Sequence, residues 1–153
     1  MNCSFLKLLY QIYVRLSAIT KPVTLGVRVL LIRDEKVLLV KHSYQDLWFL
    51  VGGGMERNET LEEAARREAM EEAGATLGEM KLFGIYTNYI FGRSDHIVVF
   101  LCEDFTYTGE HDSEIEIVEL LSMGALPKNT APGIRRRIEE YRAGKEYSQF
   151  GKW

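Results

Sequence analysis

The amino-acid sequence predicts one α/β domain preceded by an added amphipathic helix. Short segments rich in β-branched residues and leucine alternate with two segments that carry helix start and stop signals. The length of 153 residues is close to that of one domain, and no repeat, low-complexity tract or linker divides the chain. We therefore assign residues 1–20 to the added helix and residues 21–153 to a single domain.

The composition is that of a globular protein and excludes several classes of function. The hydrophobic share of 46% and the charged share of 27% exclude a disordered or fibrous chain. The net charge of -3 provides no basic surface for a phosphate backbone, so we expect no nucleic-acid partner. Cys3 and Cys102 fit neither a zinc-ligand spacing nor a disulfide framework, which favours a reducing, cytoplasmic location.

The first segment of the chain, residues 5–16, has the pattern of an amphipathic helix. Lys7, Gln11 and Arg15 form a polar stripe, and apolar residues recur at helical spacing at Phe5, Leu8, Leu9, Ile12 and Leu16. The segment is shorter than the ~20 apolar residues that a membrane span needs, so membrane association is disfavoured. Packing against its own domain or against a second subunit is the favoured interpretation, which leaves a homodimer open. A position on a membrane surface and a targeting role are the alternatives.

The strands of the domain are predicted from short β-branched and leucine-rich runs. Residues 23–32 and 36–42 form a hairpin across a tight turn at residues 33–35. A short apolar run at residues 47–51 leads into Gly52-Gly53-Gly54, where the backbone gains freedom and a ligand can approach closely. Further strands are predicted at residues 81–91, 96–103 and 115–121, with a turn at residues 92–95.

Two helices complete the domain, and both have recognisable ends. The first covers residues 60–73, because Thr60 and Glu63 form a capping box at its start and Gly74 follows its last turn. The second begins near Thr130, with Pro132 in its first turn, and stops at Gly144.

The first of these helices carries acidic residues on a core-directed face. At about 100° per residue, Glu68, Glu71 and Glu72 share one arc with small apolar residues. Glu68 meets Glu71 at i+3 and Glu72 at i+4, and each like-charge pair is unfavourable. A divalent cation would offset the repulsion, and Mg²⁺ suits such a site because it needs only one or two carboxylates beside substrate phosphate oxygens. The alternative is a solvated face on which Arg67 pairs with Glu63 or Glu71 across one turn.

The segment that begins at Gly53, GGMERNETLEEAARREAMEEAGA, resembles the Nudix box. The fixed positions of the box are occupied by Gly53, Glu59, Arg67, Glu68, Glu71, Glu72 and Gly74. Ala69 and Ala75 depart from its aliphatic positions, Val51 replaces a frequent proline, and Leu120-Leu121 replace a downstream Trp-Phe. The resemblance implies that residues 21–153 are a single Nudix hydrolase domain, an α/β/α sandwich with a mixed sheet.

The resemblance also implies an activity, a metal and roles for individual residues. It implies hydrolysis of a diphosphate linkage in a nucleoside diphosphate derivative or nucleoside triphosphate, with Mg²⁺ or Mn²⁺ as the metal ion. The metal ligands would be Gly52, through its carbonyl, Glu68, Glu71 and Glu72. Glu59, Gly53 and Gly74 would support the loop and helix, and Arg67 would orient the glutamates. The alternative is a catalytically silent Nudix-fold module that binds a nucleotide or a protein.

The general base and the substrate contacts stay open at this point. Glu71 or Glu72 would be the base, with Glu114 as a further candidate and Asp112 and Glu116 close enough in sequence to replace it. His96 is the one histidine considered for this role, although a structural role is favoured. Candidates for stacking on a nucleotide base are Tyr44, Trp48, Tyr86, Tyr89 and Phe91, with Trp48, Tyr86 and Tyr89 preferred and core packing as the alternative.

Overall fold

The computed structural model describes residue 12 and residues 23–90, 92–144 and 148–153. The predicted N-terminal helix lies outside these residues except for Ile12. Within them the elements follow in the order β1 (Val23–Arg33), β2 (Lys36–His42), β3 (Trp48–Leu50), α1 (Leu61–Ala73), β4 (Ala75–Leu77), β5 (Lys81–Ile90), β6 (Arg93–Cys102), β7 (Phe105–Tyr107), β8 (Ile115–Ser122), α2 (Pro132–Ala143) and β9 (Phe150–Lys152). In the described ranges we find no helix of the length and apolar character that crossing a membrane requires.

The main sheet is mixed, as the sequence predicts. Its seven strands include the path β3-β2-β1-β6-β5-β9, and β8 pairs with β2 beside that path. The long pairing of β1 with β6 and the short pairing of β5 with β9 are parallel, whereas β5 and β6 are antiparallel. Strands β4 and β7 form a separate two-stranded sheet.

The two helices cover opposite faces of the sheet and enclose two apolar cores. The apolar side chains that helix α1 buries completely are all alanines, Ala64, Ala65, Ala69 and Ala73, so its backbone approaches the strands closely. Helix α2 packs through Ile134 and Ile138 against the other core, which also holds Leu30 and Val99. The α/β/α sandwich is therefore confirmed.

The hairpins show how the turns set the strand register. Asp34 and Glu35 have φ values of 49° and 59°, which a two-residue turn between twisted strands requires. The predicted turn at residues 92–95 is wrong, because Ile90 pairs directly with Arg93 and Gly92 makes the turn with φ of 81°. Residues 93–95 consequently belong to β6, and their side chains alternate between the faces of the sheet.

Helix α1 begins and ends where the sequence predicts. The Thr60 hydroxyl accepts from the Glu63 backbone N–H, and the Glu63 carboxylate accepts from the Thr60 backbone N–H at 2.7 Å. Gly74 ends the helix in the left-handed conformation, with φ of 57°, and its N–H donates to the Met70 carbonyl. These two caps fix which residues of the helix face the sheet.

Three short strands were not predicted. β4, β7 and β9 have three residues each. A run of this length shows too few positions for strand periodicity, so only the partner strand defines it. In the chain, β4 precedes the β5–β6 hairpin and β7 follows it. The separate sheet that they form packs in the same apolar core as α1.

Candidate active site

A glycine loop, residues 51–54, is pinned along β1. The backbone N–H of Val27 donates to the Gly53 carbonyl and that of Val29 donates to the Val51 carbonyl, both at 2.9 Å. Gly52 has φ of 136°, a conformation that side chains rarely adopt, and its N–H donates to Glu72 Oε2 at 2.8 Å. The loop therefore connects the sheet directly to a carboxylate of α1.

Gly53 brings the same loop against a second carboxylate. A β-carbon at this position would stand 2.6 Å from the carboxylate atoms of Glu68, well inside van der Waals contact. At Gly54 a β-carbon would meet nothing within 4 Å. Of Gly53 and Gly54, only Gly53 must lack a side chain for the loop and the helix to approach this closely.

Arg67 joins the acidic residues into one network. Its Nε and Nη2 atoms donate to Glu59 at 3.1 and 2.8 Å, and Nη2 also donates to the Gly54 carbonyl at 3.1 Å. Its Nη1 atom donates to Glu68 at 2.8 Å and to Glu71 at 3.3 Å. The hydrogen bond from Arg67 is also the main reason that the pKa of Glu59 lies below its ordinary value. This geometry suits the expected role of Glu59 and Arg67 in orienting the glutamates.

We expect Glu59→Gln to lower kcat/KM roughly 10- to 100-fold, the usual cost of disturbing a residue that orients metal ligands. An amide offers only one acceptor oxygen to the two Arg67 donors, so the guanidinium loses its fixed position. Steady-state kinetics at saturating Mg²⁺ measure the effect. The matched control is Glu62→Gln, which removes a carboxylate paired with Arg66 at 2.8 Å on the exposed face of the same helix. Equal losses in both variants would refute the orienting role.

The three glutamates of the box differ in their surroundings. Glu72 is 6% exposed, whereas the Glu71 side chain is 50% exposed and the Glu68 side chain 13%. The expectation that all three share a core-directed face is therefore wrong for Glu71, which lies at the solvent edge. Glu71 is not among the buried residues of the helix, which are Ala64, Ala65, Ala69, Glu72 and Ala73.

Burial sets the electrostatics of the two inner glutamates. It raises the pKa of Glu72 to about 7 and raises the pKa of Glu68 above its ordinary value. The positive charge of Arg28 lowers both pKa values but does not cancel the effect of burial. His42 lies beside them, with Nε2 3.8 Å from Glu72 Oε1, and burial lowers its pKa to about 4. The pocket thus places carboxylates where their ionised forms are poorly solvated.

The carboxylates of the site suit a divalent cation in number and chemistry, although their present arrangement does not enclose one. Among the residues that the structure describes, no group of three or more His, Cys, Asp or Glu is arranged to hold a metal ion as it stands. Arg67 instead holds Glu68 and Glu71, while Gly52 holds Glu72. Two buried carboxylates beside a glycine loop nevertheless match Mg²⁺, which needs one or two carboxylates and completes its shell with water and phosphate oxygens.

The acids that follow the helix lie at different distances from this site. The backbone N–H of Asp112 donates to the Glu71 carbonyl at 2.9 Å, and the charge of Asp112 contributes to the raised pKa of Glu72. Glu114 lies in the adjoining turn, where its N–H donates to Asp112 and its carbonyl accepts from Ser43. Glu116 pairs instead with Lys41 at 3.7 Å. Of these three acids, Asp112 is the one whose charge acts on Glu72.

Two of the three preferred aromatic residues lie in a core and not at the carboxylates. Trp48 and Tyr86 are 8% and 2% exposed in the core beneath α2, where the Arg137 guanidinium stacks 3.8 Å from the Tyr86 ring centroid. Tyr89 is 68% exposed and pairs with Ser94, so its side chain leaves the sheet on the α1 side. Core packing, the alternative for Trp48 and Tyr86, is therefore what the structure shows for these two, and a substrate contact of Tyr89 stays a prediction.

Among the other aromatic and histidine candidates, Tyr44 lies beside the site, because it contacts His42, which neighbours Glu72. Tyr44 packs against His42 with ring centroids 5.1 Å apart. His96 bonds through Nδ1 to the Thr87 hydroxyl at 3.0 Å across the β5–β6 pair. Phe91 falls outside the described residues.

Sequence reasoning missed Arg28 and His42. Arg28 interrupts the apolar run of β1, donates to the Leu50 carbonyl at 3.2 Å and lines the cavity beside the glycine loop. A charged residue between Val27 and Val29, in the apolar part of the strand, was a usable signal. His42 ends β2 and gave no comparable signal, because only the fold brings it to Glu72.

A family model for the NUDIX domain matches residues 22–141. Among curated relatives, the uncharacterized Nudix hydrolase YvcI of Bacillus subtilis (strain 168) is 36% identical over 87 residues, which are 54% of each chain. A putative 8-oxo-dGTP diphosphatase of the same strain is 29% identical over 120 residues, 76% of this chain and 77% of the relative. Diphosphoinositol polyphosphate phosphohydrolase 2 of Homo sapiens is 46% identical over 57 residues, 37% of this chain and 32% of the relative. The matches thus span about half of YvcI and a third of the human protein.

Solved structures agree with this fold. A MutT NUDIX hydrolase from Burkholderia pseudomallei matches with a TM-score of 0.70 and 23% identity, over 76% of this chain and 96% of that one. The E. coli ORF135 protein matches with a TM-score of 0.66 and 27% identity, over 81% and 91%. Both comparisons support the mixed α/β architecture described above.

Proposed function

This chain belongs to the NUDIX domain family, and from that premise we propose that it hydrolyses a diphosphate linkage with the help of a divalent metal ion. The substrate class is a nucleoside diphosphate derivative or a nucleoside triphosphate, and Mg²⁺ is the metal, with Mn²⁺ able to replace it. One observation carries the proposal: Glu72 and Glu68 are held together, away from solvent, against a glycine loop. Burial of two like charges is unfavourable unless a cation balances them.

Glu68 and Glu72 would hold the metal ion, with the exposed Glu71 and the Gly52 carbonyl as further ligands. When bound, the ion would neutralise charge on the phosphoryl oxygens and lower the pKa of a water molecule. The protein itself supplies the orientation of the carboxylates. Arg67 fixes Glu68 and Glu71, and the Gly52 N–H fixes one oxygen of Glu72.

Arg28 contributes a positive charge on the sheet side of the same site. Its side chain lines the cavity beside the glycine loop and is close enough to lower the pKa of both Glu68 and Glu72. A guanidinium carries five donors, and the hydrogen bond to the Leu50 carbonyl uses one of them. We assign a pair of the remaining donors to phosphate oxygens of the substrate, since arginine binds phosphate through paired donors.

The proton from the attacking water needs an acceptor, and the candidates remain Glu71, Glu72 and Glu114. Glu71 is half-exposed, so it can pass a proton on to bulk solvent. Glu72 is buried and has one oxygen committed to Gly52. Asp112 joins these candidates because its charge acts on Glu72. We favour Glu71 on the ground of its access to solvent.

The names of the relatives support diphosphate chemistry and diverge on the head group. One relative is named for 8-oxo-dGTP, a modified nucleoside triphosphate. Another is named for diphosphoinositol polyphosphate, a cyclitol that carries many phosphates. Both names describe cleavage at a chain of phosphates, which is the chemistry proposed for this chain.

The test is an activity panel with the full chain. Nucleotide sugars, ADP-ribose, dinucleoside polyphosphates, nucleoside triphosphates, 8-oxo-dGTP and a diphosphoinositol polyphosphate are each incubated with Mg²⁺ and, in parallel, with excess EDTA. We expect phosphate-containing products from at least one nucleotide, and none with EDTA. A folded protein that is inactive across the panel would contradict the proposal and favour a catalytically silent binding module.

A further inference from the structure

A cavity of about 240 Å³ extends from the glycine loop along β1 and β6. Its lining includes Gly53 and Arg28 at one end and Thr24, Arg93 and Asp95 at the other. The volume is below the roughly 300 to 1,000 Å³ of pockets for drug-sized ligands, so it suits one compact head group.

The pairing of β1 with β6 determines the order in which residues line this cavity. Thr24, Gly26 and Arg28 alternate with the residues that face α1, so all three point to the α2 side of the sheet. Parallel pairing sets Asp95 beside Thr24 and Ile97 beside Gly26. Thr24 and Arg28 are four residue steps apart along the strand, which is a distance of about 13 Å at the usual rise per residue.

The middle of the cavity is lined by Gly26, by Ile97 and by the glycine loop. The loop lies directly against Gly26, because a β-carbon there would stand 2.9 Å from the Gly53 carbonyl oxygen. Ile97 lies beside Gly26 and is 7% exposed. This part of the cavity carries no charged side chain, so it suits a planar, uncharged ring better than a phosphate.

The outer end presents a fixed carboxylate. The Thr24 hydroxyl donates to Asp95 Oδ1 at 2.5 Å, so it holds the side chain against β1. An ionised carboxylate only accepts hydrogen bonds and has about four acceptor positions, of which Thr24 fills one. A ligand group at this end therefore has to bring hydrogen-bond donors.

We propose that Asp95, positioned by Thr24, determines substrate specificity by accepting hydrogen bonds from paired N–H donors on a nucleobase, as guanine carries them. The inference rests on the proposed function, in which the diphosphate would lie at the Arg28 end of the cavity, beside the glycine loop that contacts Glu68 and Glu72. The base lies at the far end of a nucleotide from its phosphates, and the cavity has the same order. Ribose hydroxyls lie nearer the diphosphate and fall short of Asp95.

A head group with several phosphates fits this cavity poorly. Asp95 would repel it, and the cavity offers only Arg93 as a cation at that end. The net charge of the chain, -3, adds no attraction for a polyanion. The geometry therefore favours a nucleoside head group over a polyphosphorylated one.

Calorimetric binding with the full chain and Mg²⁺ tests the inference. The probes are the α,β-methylene analogues of GTP and ITP, which differ in the 2-amino donor, and inorganic tripolyphosphate, which has no base. We expect the GTP analogue to bind roughly 10- to 100-fold more tightly than the ITP analogue, the range for a hydrogen bond to a charged group. Asp95→Asn should bring the two analogues within about twofold of each other and leave tripolyphosphate unchanged, since an amide accepts through one oxygen only.

Companion variants separate specificity from folding. Thr24→Val should reduce the preference for the GTP analogue, and Thr24→Ser, which keeps the hydroxyl, should restore it. Ser94→Ala, on the same strand but on the opposite face, should change nothing. An unchanged preference in Asp95→Asn, or an equal loss of tripolyphosphate binding, would overturn the inference. The calorimetric experiment measures binding and does not require turnover. Inactivity in the substrate panel would therefore refute the proposed hydrolysis without deciding whether Asp95 recognises the base.

Discussion

Replacing Glu72 by glutamine is expected to lower turnover roughly a hundredfold or more while the protein stays folded, as when a metal site is disabled. Glutamine keeps an oxygen that can accept from the Gly52 N–H, so the contact between loop and helix survives. It removes the negative charge that a divalent ion needs. Steady-state kinetics at several Mg²⁺ concentrations measure the loss, and extra Mg²⁺ should not recover it.

The same substitution should stabilise the metal-free protein at alkaline pH. The pKa of Glu72 is raised from 4.5 to about 7 in the folded state, so the unfolded chain ionises first. Stability is consequently lost as pH rises from about 4.5 to about 7, and the whole penalty is present above that window. In EDTA at pH 8 we expect Glu72→Gln to raise the free energy of unfolding by roughly 1 to 3 kcal/mol, with little gain at pH 5.

The exposed Glu62 provides the comparison for both effects. Glu62→Gln removes the same charge from the same helix at a position that pairs with Arg66 in solvent. We expect near-normal turnover and a change in stability below about 0.5 kcal/mol, as for most surface substitutions. Near-normal turnover in Glu72→Gln would remove Glu72 from the metal site.

Replacing Gly53 by alanine is expected to lower kcat/KM roughly 10- to 100-fold with little loss of stability. The new methyl group would occupy the space 2.6 Å from the Glu68 carboxylate. Glu68 is the flexible end of a side chain, so it would move away from the loop instead of unfolding the helix. The displaced carboxylate would then bind metal poorly, and the Mg²⁺ concentration for half-maximal rate should rise.

Gly54→Ala is the matched control, because a β-carbon at that position meets nothing within 4 Å. The Gly54 carbonyl still accepts from Arg67 after the substitution. We expect its kinetics to stay within about twofold of the unmodified protein, as for substitutions that touch nothing. Equal losses in the two variants would show that loop flexibility matters, and not the contact with Glu68.

Local signals made helix α1 predictable. The capping box at Thr60 and the left-handed glycine at Gly74 fix both ends of the helix from neighbouring residues alone. The spacing within that helix then determines which residues can act together. The long strands followed from their β-branched runs, and the mixed α/β fold followed from the order of the elements.

Features that depend on distant residues were not predictable in the same way. The helical arc contained Glu71 and Glu72, but only the position of the sheet decides that one is half-exposed and the other buried. Tyr86 is an aromatic residue of the kind that stacks on nucleotide bases. Its burial under Arg137 depends on α2, which is distant in sequence. The sequence pattern predicted a turn at Asp95. The structure instead pairs Ile90 with Arg93, and this strand register cannot be deduced from neighbouring residues alone.

Direct titration of Mn²⁺ into metal-free protein, followed by electron paramagnetic resonance, tests the metal site most directly. We predict saturable binding to the full chain, displacement of Mn²⁺ by Mg²⁺, and a loss of affinity of at least tenfold in both Glu72→Gln and Gly53→Ala, in line with the cost of disturbing metal ligands. Glu62→Gln and Gly54→Ala should bind as the unmodified protein does. Equal Mn²⁺ affinity in all five proteins would contradict the assignment of the metal to the buried glutamates.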